Sequence, residues 1–311
     1  MKHLILGDSS FLGYYLGKKL SEDGEEVCFL DINHDSSRLG LSKIGTHISG
    51  LCSNDYSLNV AFSSFAPDYV YFLYPPVKDP FDNYSPIDDW NFLNNSLSPL
   101  GRAISLFPIK KLFLRSSNEV YGIVKGLKND KSKISEYCPH IPISYRGAVL
   151  HSAETYFRIH CYVSGVPFVA GRVFEVFGED MSKNPVDLLH STIKGLLSGK
   201  AVAVPDVNRW TEFISVDDVV SSVLLLTRGS FVGPINISSG KPIRIKSVFS
   251  AVEKELGRKK SVVYVKPTRD MYVKSTVADI SQLLKEGIVL PDRNILDSIP
   301  NLVKFYSTSG A

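Results

Sequence analysis

Met1-Lys-His-Leu-Ile-Leu-Gly7-Asp-Ser-Ser10-Phe-Leu-Gly13 opens the chain, and Tyr14-Tyr-Leu-Gly-Lys-Lys-Leu20 follows it. His3–Leu6 is a short apolar run, the signature of a strand buried on both faces. Gly7 breaks it, and Phe11–Leu20 then carries apolar residues at helical spacing. A glycine turn between a buried strand and a helix lets the backbone approach a pyrophosphate, and the helix N-terminus stabilises the phosphates. The spacing is G-x-x-x-x-x-G, with Ser10 in the middle slot. Glu26–Leu30 reads as a second strand and ends at Asp31, 24 residues after Gly7. A carboxylate there accepts hydrogen bonds from a ribose diol and repels a 2′-phosphate, which favours NAD over NADP.

The same rhythm continues outward. Tyr69–Tyr74 reads as a strand, Asp89–Leu106 as a helix, and Lys111–Leu114 as a strand running into Ser116-Ser117. Gly147–Ser164 is a long helix and Pro167–Val173 a strand. Such alternation predicts an α/β fold, a Rossmann-type doubly wound parallel sheet with helices on both faces. The later third is less regular. Helices are expected over Val186–Leu197, Val216–Leu226 and Ile245–Leu256, with a strand at Ile235–Ser238 that returns to the first sheet.

Composition narrows the partners. Charged residues make up 22% of the 311 and the net charge is only +3, so nothing points to nucleic acid or an anionic membrane. No stretch approaches a membrane span, and the glycine turn interrupts the first apolar run too early for a signal peptide. Cys28, Cys52, Cys138 and Cys161 are far apart, and the histidines are scattered. No metal site or disulfide framework is expected, and a reducing cytoplasm is.

Further motifs resemble one family. Ser116-Ser-Asn-Glu119-Val-Tyr-Gly122 resembles S-S-x-E-V-Y-G. Gly171-Arg-Val-Phe-Glu175-Val-Phe-Gly178 is similar to a segment containing R-x-F-N-x-Y-G, and Thr211-Glu-Phe-Ile-Ser-Val-Asp217-Asp218 to R-D-F-x-x-V-D-D. With Gly7, Gly13 and Asp31 in register, the chain resembles the extended short-chain dehydrogenases/reductases, the NAD-dependent epimerases and dehydratases of nucleotide sugars. The resemblance implies a cofactor site at Gly7, Ser10, Phe11, Leu12, Gly13, Asp31, Tyr74 and Asn95. It implies a substrate end near Glu175, Arg209 and Arg269, with Arg209 standing in for an arginine that Thr211 replaces. Residues 1–175 would form the NAD-binding domain, rejoined by strands from about 205–240, and 176–311 would mainly bind substrate. Family members often form homodimers through the helices at Asp89–Leu106 and Gly147–Ser164, where Leu150, Tyr156, Phe157 and Val163 would make contact.

The resemblance also implies chemistry. A tyrosinate takes a sugar hydroxyl proton, and a lysine one helical turn on lowers the tyrosine pKa. Ser117 fits the hydroxyl that shares this proton, and Glu119 the carboxylate that assists at a neighbouring carbon. The pair itself is degenerate. One register keeps Tyr145 as the phenol and puts Val149 in the lysine slot. The other, which keeps Pro142, Gly147 and Glu154 in step, puts Arg146 in the tyrosine slot and Leu150 in the lysine slot. Neither supplies a lysine, and an unassisted phenol is ionised at neutral pH to only roughly one part in a thousand. Arg146 is always protonated and is no base, although it can bind an anion. His151 lies five residues beyond Arg146, about 140° around the helix, and reads as a packing residue. Two readings therefore stand: an enzyme of non-standard chemistry using Ser117, Glu119, Tyr145 and Arg146, or a nucleotide-binding or assembly protein that has lost turnover.

Overall fold

The structure is a computed structural model. It describes residues 1–7, 11–31, 40–73, 86–122, 124, 132–179, 188–205, 210–258, 262–265, 277–291 and 293–308. Among them, seven parallel strands form the central sheet: β1 (Lys2–Leu6), β2 (Glu26–Asp31), β3 (Thr46–Ser49), β4 (Tyr69–Phe72), β5 (Lys111–Ser117) and β6 (Phe168–Val173), with the later strand Gly233–Ile237 added beside β6. Reading outward from that later strand, the order is β6, β5, β4, β1, β2, β3. The winding direction therefore reverses between β1 and β4. A crevice at the carboxyl ends of the strands is the usual consequence of such a reversal.

The strand sequences explain the layering. Along β1, Ile5 faces one apolar core while Leu4 and Leu6 face the other. In β2, Phe29 alternates with Cys28 and Leu30, and in β5, Phe113 alternates with Leu112 and Leu114. A strand with period-two side chains and both faces apolar requires helices on both sides. Helices Leu12–Glu22 and Val216–Arg228 cover one face; Asp55–Phe65, Pro86–Leu106 and Tyr145–Ser164 cover the other. Gly17 lets the first helix lie against the sheet, since a Cβ there would sit 2.3 Å from the Phe29 ring.

Several elements are not anticipated from the sequence: β3, the helix Asp55–Phe65, and the helix Ile295–Thr308 near the end of the chain. Leu188–Leu197 and Ile245–Glu255 fall where helices are expected. Three short two-stranded pairings complete the carboxyl side: Val176–Phe177 with Ile214–Ser215, Trp210–Thr211 with Ile243–Arg244, and Val202–Pro205 with Val262–Val265. The strand expected over Tyr69–Tyr74 ends at Phe72, and Tyr74 lies outside the described residues.

One expectation needs correction. Leu150 is 2% exposed and Phe157 fully buried, both packed into the sheet-facing core, so neither can contact a second subunit. The spacing that places them on one face of the helix is the spacing that carries them inward. Val163, from the same expected set, is exposed, as are Ile159 and Tyr162.

Candidate active site

Gly7, Asp31 and Ser117, three of the residues singled out from the sequence, lie at the carboxyl ends of β1, β2 and β5. Gly7 leaves β1 with φ of 74°, a left-handed conformation that favours glycine, and its N–H donates to the Leu30 carbonyl at 3.1 Å. Ser10 lies outside the described residues. Phe11 and Leu12 direct their side chains into the core, 2% and 1% exposed, leaving only backbone to serve a ligand. Gly13 is buried in the first helical turn. Asp31 closes β2 as a buried residue between β1 and β3, and its carbonyl accepts Gly50 N–H at 3.2 Å on the β3 side. A left-handed glycine, a helix start and a carboxylate on the next strand together suit a dinucleotide whose diphosphate meets the helix and whose ribose meets Asp31. Asn95 is exposed on its helix, while its neighbour Ser96 is fully buried.

At the end of β5 the chain tightens into one short turn, Asn118–Val120. Ser117 caps it: its Oγ accepts Glu119 N–H at 3.2 Å and donates to Asn118 Oδ1 at 3.0 Å. That turn aims Glu119 at the start of the long helix Tyr145–Ser164. Ser144 is the helix cap, accepting Gly147 N–H at 3.0 Å and donating its hydroxyl to Glu119 Oε2 at 2.6 Å. Arg146 Nε stands 3.6 Å from Glu119 Oε1. Close approach depends on Gly147, where a Cβ would meet the Glu119 carbonyl oxygen at 2.4 Å. Of the two neighbours, Tyr145 is 54% exposed, while the Arg146 side chain is 17% exposed and turned towards Glu119. Val149 and Leu150 are both buried apolar residues.

Behind the helix lies a polar network that sequence motifs mark without revealing its wiring. Arg172, at the end of β6, is 1% exposed. Its Nε and Nη2 donate to the Glu154 carboxylate at 3.0 and 2.7 Å, and Ser116 Oγ donates to the same carboxylate. Arg172 Nη1 donates to Tyr121 Oη at 3.0 Å and to the Glu136 carbonyl at 3.1 Å. Tyr121 Oη in turn donates to Asn236 Oδ1 at 2.6 Å. Burial opposes the Arg172 charge, but the hydrogen bonds and negative charge of Glu154 outweigh it and hold the guanidinium more firmly protonated than usual. The network ties the helix, β5, β6 and the last sheet strand together.

The chain aligns with the NAD dependent epimerase/dehydratase family over residues 3–237. It belongs to that family. Protein CapI of Staphylococcus aureus is 24% identical over 340 residues, covering 98% of each chain. UDP-glucose 4-epimerase of Thermus thermophilus, solved as a complex with NAD, superposes with a TM-score of 0.86 at 21% identity, covering 99% of this chain and 100% of that one. UDP-glucose 4-epimerase of Thermotoga maritima, solved with UDP-glucose, gives 0.86 at 20% identity and full coverage of both chains. Family membership makes NAD the cofactor.

Arg209 and Arg269 lie outside the described residues. Glu175 is half-buried just past β6, and its carbonyl accepts Ile214 N–H at 2.9 Å. His151 packs its ring 4.8 Å from that of His140, which also meets Tyr121 edge-on. His160 and Tyr156 stack on each other, and His160 Nε2 lies 2.7 Å from the Gly101 carbonyl, so both serve the packing of the two long helices. Among the described residues no group of three or more His, Cys, Asp or Glu is arranged for a metal ion, and no helix is long and apolar enough to cross a membrane. Sequence reasoning missed Glu212, fully buried just past the strand Trp210–Thr211. Its carboxyl accepts Ala278 N–H, and burial pushes its pKa up to about 7.

Proposed function

We propose that the protein binds NAD and acts on a nucleotide-linked sugar with active-site chemistry unlike that of a tyrosine–lysine pair. The observation that carries this reading is the Glu119–Ser144–Arg146 arrangement, which occupies the place where the resemblance puts the proton-transfer group. Bound NAD supplies a hydride acceptor. The chain's own residues then have distinct roles. Ser117 sets the turn that presents Glu119. Ser144 orients one oxygen of the Glu119 carboxylate through a short hydrogen bond. That carboxylate is the group able to take a proton from a sugar hydroxyl or neighbouring carbon. Arg146, inward where Tyr145 is exposed, binds charge and does not move a proton. Arg209 and Arg269 are assigned to the substrate diphosphate, and Tyr74 and Asn95 to the cofactor side.

The test is turnover of UDP-, dTDP- and GDP-hexoses by NAD-loaded protein, followed by product chromatography, for wild type and Glu119→Gln. Product from wild type and none from the variant supports the reading; equal product from both refutes the role of Glu119. A second reading rests on Val149 and Leu150, buried apolar residues at both candidate lysine positions. It makes the protein a nucleotide-binding or assembly component without turnover, and hydride transfer to bound NAD rules it out.

Assembly as a homodimer belongs to the same proposal. Ile159, Tyr162 and Val163 are exposed on the helix Tyr145–Ser164, and Leu106 is 70% exposed at the end of its neighbour. Light scattering of Tyr162→Asp against wild type tests it. We assign the protein to the cytoplasm because its four cysteines are free thiols, three of them buried.

A further inference from the structure

We propose that Glu212 is a proton-dependent latch, which holds the segment 277–280 on the end of the sheet while its carboxyl is neutral and releases it on ionisation. Three pieces of chain meet at this side chain. Glu212 itself follows the strand Trp210–Thr211, and its Oε1 accepts the N–H of Ala278 at 2.5 Å. Ser238, one residue past the strand Gly233–Ile237, and the Gly240 N–H are the next polar groups around the carboxyl. Glu212, Ser238 and Ala278 are all fully buried. Gly240, with φ of 66°, brings its turn against Ile280, whose side chain a Cβ would meet at 2.8 Å. The second carboxyl oxygen, Oε2, and Ser238 Oγ are both buried without a hydrogen-bond partner among the described residues.

Glu154 shows by contrast what Glu212 lacks. Both carboxyls are buried, but Glu154 receives two hydrogen bonds and a balancing charge from Arg172. No Lys or Arg among the described residues pairs with Glu212. Lys133, beside the bridge that joins Ile134 to Ala278, acts on it only through its field. The other charged groups on the surrounding elements are engaged elsewhere or exposed. Asp279 Oδ1 takes the Ser281 N–H and hydroxyl, Glu136 Oε1 takes the Asn236 N–H, Arg244 lies 4.9 Å over the Trp210 ring, and Lys241 is exposed. A buried carboxylate without a cation is costly, and burial pushes this pKa up to about 7. Below that value the acid is neutral, and its O–H offers Ser238 Oγ a donor. Above it, a negative charge stands in apolar surroundings with only the Ala278 N–H in a full hydrogen bond, and water solvates it better. Turning Glu212 to water breaks that bond. The segment 277–280 then keeps its backbone bonds to Ile134 and the Asn236 amide on the Asp279 carbonyl, and it opens locally without unfolding the sheet.

Hydrogen exchange of the full chain, read by mass spectrometry on the peptide containing Ala278, tests the latch. With the usual carboxylate value of 4.5 in the open state and about 7 in the closed one, ionisation favours opening throughout the interval between them. The opening constant, corrected for intrinsic exchange rates, should rise about thirtyfold between pH 5 and pH 7 and level off above pH 8. Glu212→Gln keeps an acceptor for the Ala278 N–H and is neutral at every pH, so it should abolish the rise. Thermal melts confirm a folded sample. A second measurement leaves Glu212 untouched: Trp90→Phe makes Trp210 the single tryptophan, and its emission should change over the same pH interval. A level opening constant in wild type, an equal rise in Glu212→Gln, or constant Trp210 emission overturns the proposal.

Discussion

The buried pair of Arg172 and Glu154 allows a quantitative test of what holds the candidate helix in place. Replacing Glu154 by Leu removes the acceptor of Arg172 Nε and Nη2 and of Ser116 Oγ, leaving the guanidinium its bonds to Tyr121 and the Glu136 carbonyl. Replacing Arg172 by Met strands the Glu154 carboxylate in the same apolar surroundings. Each single change breaks a buried ion pair and is expected to cost about 3–5 kcal/mol. For a chain of this size that lowers Tm by roughly 5–8 °C. The double variant removes both charges and keeps the side-chain volume. It should recover most of the loss, since a well-packed apolar pair commonly matches a buried ion pair. Urea unfolding of the four proteins, followed by circular dichroism, gives the cycle. Single variants within about 1 kcal/mol of wild type, or a double variant that loses the sum of both, would refute the reasoning.

Acid should destabilise the fold through His3 and His190. Burial, aided at His190 by Lys194, lowers both pKa values to about 4, so the unfolded chain takes up protons below about pH 6.5 that the native state refuses. Unfolding free energies from urea titration should fall between pH 7 and pH 5 by up to about 2 kcal/mol per histidine, and His190→Gln should flatten the profile. Glu212 acts in the opposite direction: its pKa rises to about 7, so its stabilisation is present below pH 4.5 and is lost as pH rises through 7. Glu212→Gln should therefore unfold at higher urea than wild type at pH 8 and not at pH 4. Gly147→Ala inserts a Cβ 2.4 Å from the Glu119 carbonyl oxygen. It should cost about 1–3 kcal/mol by thermal melting and weaken any ligand contact that needs Arg146 beside Glu119. Lys111→Met removes an ammonium that donates to the carbonyls of Leu226, Gly229 and Phe231 at 3.1, 2.6 and 3.0 Å. Its loss leaves buried acceptors unsatisfied and should lower stability by roughly 2–3 kcal/mol in urea titration.

The parts legible in the sequence are those where one local pattern implies one geometry. A strand buried on both faces carries an unbroken apolar run at its centre, as in Leu4–Leu6, Val27–Leu30 and Leu112–Leu114, so β1, β2 and β5 announce themselves. Gly7 and Asp31 are likewise bound to the ends of those strands. β3 is legible to no such rule: Thr-His-Ile-Ser is short, polar and only partly buried at the sheet edge. The helix Asp55–Phe65 does carry a signal, in Asn54 as its cap and in the spacing of Leu58, Ala61 and Phe62. The helix Ile295–Thr308 spaces Ile295, Ile299, Leu302, Val303 and Tyr306 along one face, but Pro300 inside it reads as a helix breaker. The carbonyl cage of Lys111 joins residues more than a hundred positions apart and has no sequence signature.

The candidate site shows the same division more sharply. Sequence spacing leaves Tyr145 and Arg146 as rival occupants of one slot, because neighbours on a helix differ by only 100° and either phase satisfies part of the motif. What separates them is tertiary. Gly147 must face the Glu119 backbone, since no other residue fits there, and Glu154 must face Arg172, since a buried guanidinium needs its carboxylate. Those two constraints, seven residues apart on one helix, fix its rotation. The rotation in turn exposes Tyr145 and brings Arg146 to Glu119. An attempt to restore a tyrosine–lysine pair should therefore be made at 146 and 150, not at 145 and 149. The double substitution Arg146→Tyr with Leu150→Lys places a phenol and an ammonium one turn apart on the inward face, whereas Val149→Lys buries an ammonium behind an exposed Tyr145. If the first variant gains hydride transfer to NAD in a spectrophotometric assay with UDP-glucose and the second does not, the rotation is as described; a gain in the second alone would place the phenol at Tyr145 and undo the assignment of Arg146.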